Sequence, residues 1–415
     1  MSTERTYDIV IMGATGFTGR LVAEYLLERG PTSLRWAMAG RNEGKLSEVR
    51  AELAKMFPQA AEIPLITADS LDPDAMRSLA VQTKVVCTTV GPYAHYGEPL
   101  VAACAAEGTN YCDLTGEVQF IRKMIDDHAD AAQASGAKIV HCCGFDSIPS
   151  DIGVYMLGEA MTERGATLKN VQMFAGESRA TFSGGTVASL LNVLDEAKKD
   201  RDLRRVIGHP YGLNPEDERD GPDGKDQQGI AYSKDLGMWT APFVMAGINT
   251  RVVRRTQSLR GHPYGRDFRY SEVMSTGKGT SGLMRATAIT GGLGGFLLAA
   301  SNNTARRFMN ARFLPKPGEG PSREARENGF FVLRFVASGQ TEAGTTIKLK
   351  GKVRGQKDPG YGETAKMIGE SAMCLALDES VRAGPGGSWT PASAMGAALL
   401  DRLRTAGMTF EVTDA

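Results

Sequence analysis

The chain has 415 residues, too many for one ordinary core and enough for about two domains. Hydrophobic residues make up 42% and charged residues 23%, and 48 Lys and Arg balance 48 Asp and Glu. No net field therefore draws the protein to nucleic acid or an anionic membrane, and only local patches are left for such contacts.

The first residues, "MSTERTYDIV", hold no apolar signal core and lead straight into a strand, which predicts a cytosolic protein. The six cysteines lack CxxC spacing and sit mostly in apolar runs, so reduced, buried thiols are expected. No His/Cys/Asp cluster has ligand spacing, and no metal is expected.

From residue 7 to about 140, short apolar runs alternate with helical patterns. "YDIVIM" reads as a strand, 17–30 as a helix, "LRWAMAG" as a strand and 42–56 as a helix. "EIPLITAD", "KVVCTTVG", "TNYCDL" and "AKIVHCCG" continue as strands, with helices at 72–82, 96–107 and 117–135 between them. Continuously apolar strands separated by helices predict an α/β domain, a doubly wound parallel sheet covered on both faces, over residues 1–147.

After Pro149 the pattern changes to a helix in "IPSDIGVYMLGEAM", a strand in "TLKNVQMFAG" and a helix in "GGTVASLLNVLDEAKK". Residues 209–237 form a long Pro/Gly/Asp-rich excursion, of the kind that is a functional loop or a disordered insertion. "NTRVVRRTQSL", "DFRYSEVMS", "GFFVLRFVASG" and "TTIKLKGKVRG" alternate and read as an antiparallel sheet, giving a second α+β domain over 148–358. Residues 359–415 read as helices returning to the first domain. "SGLMRATAITGGLGGFLLAAS" carries one charge, Arg285, and has the length of a membrane span but a weakly hydrophobic composition. For its 282–300 part the readings are a buried helix, a dimer contact, an acyl-chain contact and a membrane-surface segment.

The first strand is followed by "GATGFTG": Gly13, Ala14, Thr15, Gly16, Phe17, Thr18 and Gly19. A strand, GxxGxxG and then a helix set backbone N–H groups and the positive helix end where a pyrophosphate sits. An NAD site wants an acid at the end of the second strand; here "MAGRN" places Arg41 there, with Lys45 one turn on. Two cations at that place predict NADP(H), because a guanidinium binds a 2′-phosphate that a carboxylate would repel. Asp69, after the third strand, fits the adenine edge or a helix cap. Thr88, Thr89, Val90 and Gly91, at the end of the fourth strand, fall where the nicotinamide half lies at a topological switch point.

"GATGFTGRLVAEYL", "MAGRN", "TTVGPYAHYGEPLVAACAAEGTNYCDLTGE", "CGFDSIPSD" and "TPASAMGAALLDRL" together resemble the saccharopine dehydrogenase-like oxidoreductases. "PFVMAGINTRVVRRTQSL", "FRYSEVMS" and "PKPGEGPSRE" look most like their actinobacterial trans-acting enoyl reductases. The resemblance implies a Rossmann domain, a mixed-sheet domain that often dimerises, and NADPH-linked reduction of an α,β double bond on a polyketide or fatty chain carried by a separate synthase.

Such a reaction needs a proton for the α carbon. Tyr93, Tyr96, Tyr111, Asp113, Thr115, Glu117, Asp146 and Ser147 all lie at strand carboxyl ends that converge on one crevice, and Tyr93 and Asp146 lead them as catalytic candidates. Another NADP-linked reduction stays open, and so do two further readings. One is amine chemistry of the saccharopine type, with Arg251, Arg254 and Arg255 as clamps; the other is a dinucleotide-binding partner or lipid-surface protein with little catalysis.

Overall fold

The computed structural model describes residues 4–179, 184–302 and 320–415. Its first sheet contains β1 (Tyr7–Met12), β2 (Trp36–Gly40), β3 (Leu65–Thr67), β4 (Thr83–Thr88), β5 (Asn110–Cys112), β6 (Lys138–Val140) and β13 (Gly387–Trp389). All pairs are parallel, in the order β13-β6-β5-β4-β1-β2-β3, with Ile9 opposite Trp36 and Val10 opposite Val86. The order reverses between β1 and β4, so the crevice opens at the carboxyl ends of those two strands.

The strands are apolar on both faces because both are covered. Ile9, Ile11, Met38 and Val85 point into one cluster, with α1 (Phe17–Arg29), α2 (Glu43–Ala54) and the helix Gly362–Leu377. Val10, Met12, Ala37 and Val86 point into another, with α3 (Pro73–Ala80), α5 (Glu98–Glu107) and α6 (Val118–Ser135). All six cysteines are buried free thiols. The C-terminal part is divided: β13 extends the first sheet, whereas β14 (Thr409–Asp414) pairs with β12 (Thr346–Gly355) in the second.

The second sheet runs β14-β12-β11-β7-β10-β9-β8, with β7 (Ala166–Arg179), β8 (Ala231–Ser233), β9 (Met238–Ala241), β10 (Arg269–Gly277) and β11 (Phe330–Thr341). It is mixed and not purely antiparallel, because β10 lies parallel to β7. Between the sheets runs α7 (Ile148–Thr162), starting from the loop after β6 with Pro149 in its first turn, where a missing N–H costs nothing.

Two segments depart from the sequence expectations. "NTRVVRRTQSL" is not a strand but most of helix α10 (Ala246–Leu259), and its arginines are buried. Arg251 Nη1 pairs with Asp226 Oδ2 at 2.6 Å, and Arg254 Nε with Asp223 Oδ2 at 2.7 Å. Arg255 donates to the carbonyls of Leu213 and Ser388. A helix buried all round shows no polar stripe, so its period is hidden. These arginines anchor the 209–237 excursion, and each guanidinium has an internal partner, which argues against substrate clamping.

The second departure is α11 (Gly279–Ser301), which packs on β9 and β10 yet leaves most of its length exposed, so the buried-helix reading fails.

Candidate active site

After Met12 the chain turns at Gly13, whose φ is +91°. The N–H groups of Gly13 and Ala14 both donate to Ala39 O, at 2.9 and 3.2 Å, tying the loop to β2. A Cβ on Gly13 would lie 2.7 Å from Val90 Cγ2, and one on Gly19 would lie 2.2 Å from Gly13 O. Both glycines are therefore steric requirements of the loop. Gly16 caps α1, whose first turn has neither an acidic residue nor a side-chain cap, leaving the orphan N–H groups of a helix start for an anion.

The other cofactor candidates surround this cradle. Arg41 and Lys45 are exposed just beyond β2, and neither side chain has an ion pair or hydrogen bond among the described residues. Asn42 caps α2 by accepting from Lys45 N at 2.9 Å, which sets the backbone between the two cations. Asp69 is exposed and its Oδ1 accepts from Leu71 N at 3.0 Å, a turn contact, while Asp72 caps α3. Thr89 N donates to Met12 O at 3.0 Å, and Val90 N to Thr88 Oγ1 at 3.3 Å, so the β4 loop lines the second wall of the glycine turn. Gly91 is exposed at the crevice mouth. A cradle that a Cβ would fill, unpaired helix N–H groups and two free cations fit a dinucleotide bearing a 2′-phosphate.

Tyr93 opens the short helix α4 (Tyr93–Tyr96) and is buried. Its hydroxyl donates to Thr88 O and accepts from Leu114 N, both at 3.1 Å, and burial pushes the phenol well above its ordinary range. This geometry corrects the expectation of a Tyr93 proton donor: the hydroxyl staples two loops and faces no open space. Tyr96 is half-buried, with its ring edge-on to His95. Glu117, fully buried, accepts from Tyr93 N and Ala94 N at 2.9 and 3.0 Å and from Ser189 Oγ of α8 (Gly184–Lys199) at 2.7 Å. Thr115 Oγ1 accepts from Glu117 N at 3.1 Å.

Asp113 is the hub of the β5 loop. Its Oδ1 accepts from Thr115 N and Cys142 N, each at 3.1 Å; its Oδ2 accepts from Tyr111 Oη at 2.9 Å and lies 2.7 Å from His141 Nδ1. The sequence reading missed His141, the polar residue at the end of an apolar strand, whose Nε2 is buried without a partner among the described residues. Ser147 Oγ donates to Asn249 Oδ1 at 3.1 Å, and Asn249 Nδ2 donates to Glu272 Oε2 at 3.0 Å, coupling the β6 loop to α10 and β10.

Asp146 differs from all of these. It is half-buried, and its carboxylate accepts no hydrogen bond among the described residues. Its Oδ2 faces Gly116, where a Cβ would lie 3.5 Å away and 4.0 Å from Ile248 Cγ2. Burial first, and the neighbouring Asp113 second, push its carboxyl up to about 7. A carboxyl that keeps its proton near neutral pH can act as an acid.

Elsewhere, Glu98, Asp127 and His128 approach one another, but Lys123 Nζ already bridges the two carboxylates.

Residues 9–140 match the saccharopine dehydrogenase NADP-binding domain. The chain is 42% identical over 422 residues, 99% of each chain, to a candidate trans-acting enoyl reductase of Mycobacterium tuberculosis. The chain belongs to the trans-acting enoyl reductase family. It is 41% identical to the trans-acting enoyl reductase of Mycobacterium bovis, over 99% of this chain and 98% of that one. Apo saccharopine dehydrogenase (L-Glu forming) from Saccharomyces cerevisiae shares the fold, with a TM-score of 0.56 and 13% identity over 98% of this chain and 99% of the other. The protein is an NADP(H)-dependent oxidoreductase of this family.

Proposed function

We propose that the protein reduces the α,β double bond of a polyketide or fatty acyl thioester presented by the carrier domain of a separate synthase, with Asp146 as the proton source. The observation that carries the mechanism is the Asp146 carboxyl in the turn after β6, without a hydrogen-bond partner among the described residues, close to Gly116 and raised to about 7. The names of the relatives that match over 99% of the chain, enoyl reductases acting in trans, support an enoyl substrate held by another protein.

When bound, the dinucleotide supplies the hydride that the β carbon receives. The residues of the chain do the rest. Gly13, Gly19 and the start of α1 hold the pyrophosphate; Arg41 and Lys45 hold the 2′-phosphate; Thr88 to Gly91 wall the nicotinamide end. Negative charge arriving at the thioester is discharged when Asp146 gives its proton to the α carbon, and the resulting carboxylate, half exposed, regains a proton from water. Asp113 and Glu117 touch no reacting atom in this scheme; they position the loops. A cytosolic homodimer belongs to the same reading, and sedimentation of the purified chain checks its size.

The test is oxidation of NADPH with an enoyl thioester on a carrier domain, beside a saccharopine-type amine substrate. Turnover of the thioester alone is expected; turnover of the amine alone would replace this proposal with amine chemistry.

A further inference from the structure

The outward face of α11 carries small, apolar and hydroxyl side chains and a single charge, Arg285. Gly282, Ala286 and Ala300 are buried against the protein, and a Cβ on Gly282 would lie 2.2 Å from Gly277 O, so the helix is seated closely at its start. Thr276 Oγ1 secures that end at 2.9 Å from Gly282 O. On the other side Met284 is 66% exposed and Leu298 76% exposed, with Leu283 and Leu297 beside them. Among the described residues this is the one helix long and apolar enough to cross a membrane, but its seat on β9 and β10 keeps one face on protein. A helix with one face so occupied lies along an interface instead of spanning it.

Charge selects the occupant. From Gly277 to Asn302 the sequence has two basic residues, Lys278 and Arg285, both exposed, and neither Asp nor Glu, although the whole chain is balanced. A two-fold contact between copies would set this basic stretch against itself. A carrier-bound acyl chain calls for a concave, enclosing site, whereas this face is the outside of a helix. An anionic bilayer matches both the apolar face and the sign of the charge.

We infer that α11 docks the enzyme on an anionic lipid surface, with Met284, Leu297 and Leu298 in the acyl boundary and Arg285 at the headgroups. This goes beyond the reductase reading and stands or falls separately from it.

The full chain is sedimented with vesicles of phosphatidylcholine, and with vesicles of phosphatidylcholine and phosphatidylglycerol in equal parts. Binding to the mixed vesicles only, weakened by salt, is expected. The double variant Met284→Asp/Leu298→Asp is expected to bind about a hundredfold more weakly and Arg285→Gln about fivefold more weakly. Both are expected to keep wild-type thermal stability and NADPH oxidation on a soluble enoyl thioester. Equal binding of wild type and the double variant, or no binding of wild type to the mixed vesicles, overturns the inference. So does a fall in oligomer size in the double variant, which would make α11 a contact between copies.

Discussion

Asp113 directly follows β5 and Asp146 lies in the turn between β6, the neighbouring strand, and α7, yet their surroundings differ. Asp113 has two backbone N–H donors, a tyrosine hydroxyl and a histidine ring around it and no exposure. Asp146 has no donor among the described residues, partial exposure and a carboxyl raised to about 7. A carboxylate whose lone pairs are occupied is a strut, because its charge is already compensated; one left without donors in a desolvated place holds its proton and is able to give it. The same residue type thus has two settings in one sheet, and in the reading proposed above the hydrogen-bond partners decide which aspartate is scaffold and which gives the proton.

The contrast can be broken from either side. Asp146→Asn is expected to lower kcat on an enoyl thioester by about a hundredfold or more, with the Kd for NADPH, measured by fluorescence titration, within about twofold of wild type. Asp113→Asn is expected to act on the frame: urea unfolding shows a loss of about 3 kcal/mol, the cost of removing one partner of a buried pair. In the protein that stays folded, the descending limb of the kcat–pH profile moves to lower pH, because the charge that helps raise Asp146 is gone.

Arg41→Ala lies outside the pair. It is expected to raise the KM for NADPH about ten- to a hundredfold and leave that for NADH within about twofold, by steady-state kinetics.

Stability should depend on pH. Burial raises Asp146, Asp151 and Glu272 each to about 7, above the unfolded carboxyl range. A group raised in the folded state contributes stability that is full below its unfolded pKa and lost as pH rises through the folded one. Thermal scans are therefore expected to show Tm falling between pH 5 and pH 8, and Asp151→Asn, which removes one titration, to flatten that fall. The smallest effect is expected from Tyr93→Phe. It loses two buried hydrogen bonds, about 2 kcal/mol together, and keeps kcat within about threefold, since the hydroxyl only joins Thr88 O to Leu114 N.

The first domain was legible because a parallel sheet covered on both faces requires short, continuously apolar strands, and the glycine loop because Gly13 and Gly19 admit no Cβ. α10 was not legible: buried on all sides, it carries no stripe, and the aspartates that neutralise Arg251 and Arg254 come from a distant excursion. The parallel pairing of β10 with β7 was equally hidden, since alternation reports a covered face and not a strand's direction. The exposure of α11 was hidden because apolar composition is common to buried and lipid-facing helices. Within the crevice the sequence offered two aspartates and several tyrosines at strand ends with nothing to separate them. The difference lies in partners such as His141, which pairing in space brings to Asp113 and not to Asp146.

The most direct test of the role of Asp146 is the pH dependence of kcat for the wild type and Asp146→Asn on a carrier-bound enoyl thioester. Wild-type kcat is expected to fall as pH rises through about 7, where the acid loses its proton, and the variant to be about a hundredfold slower with no such limb. A variant that keeps kcat within about threefold of wild type and shows the same limb would contradict the assignment of Asp146 as the proton donor.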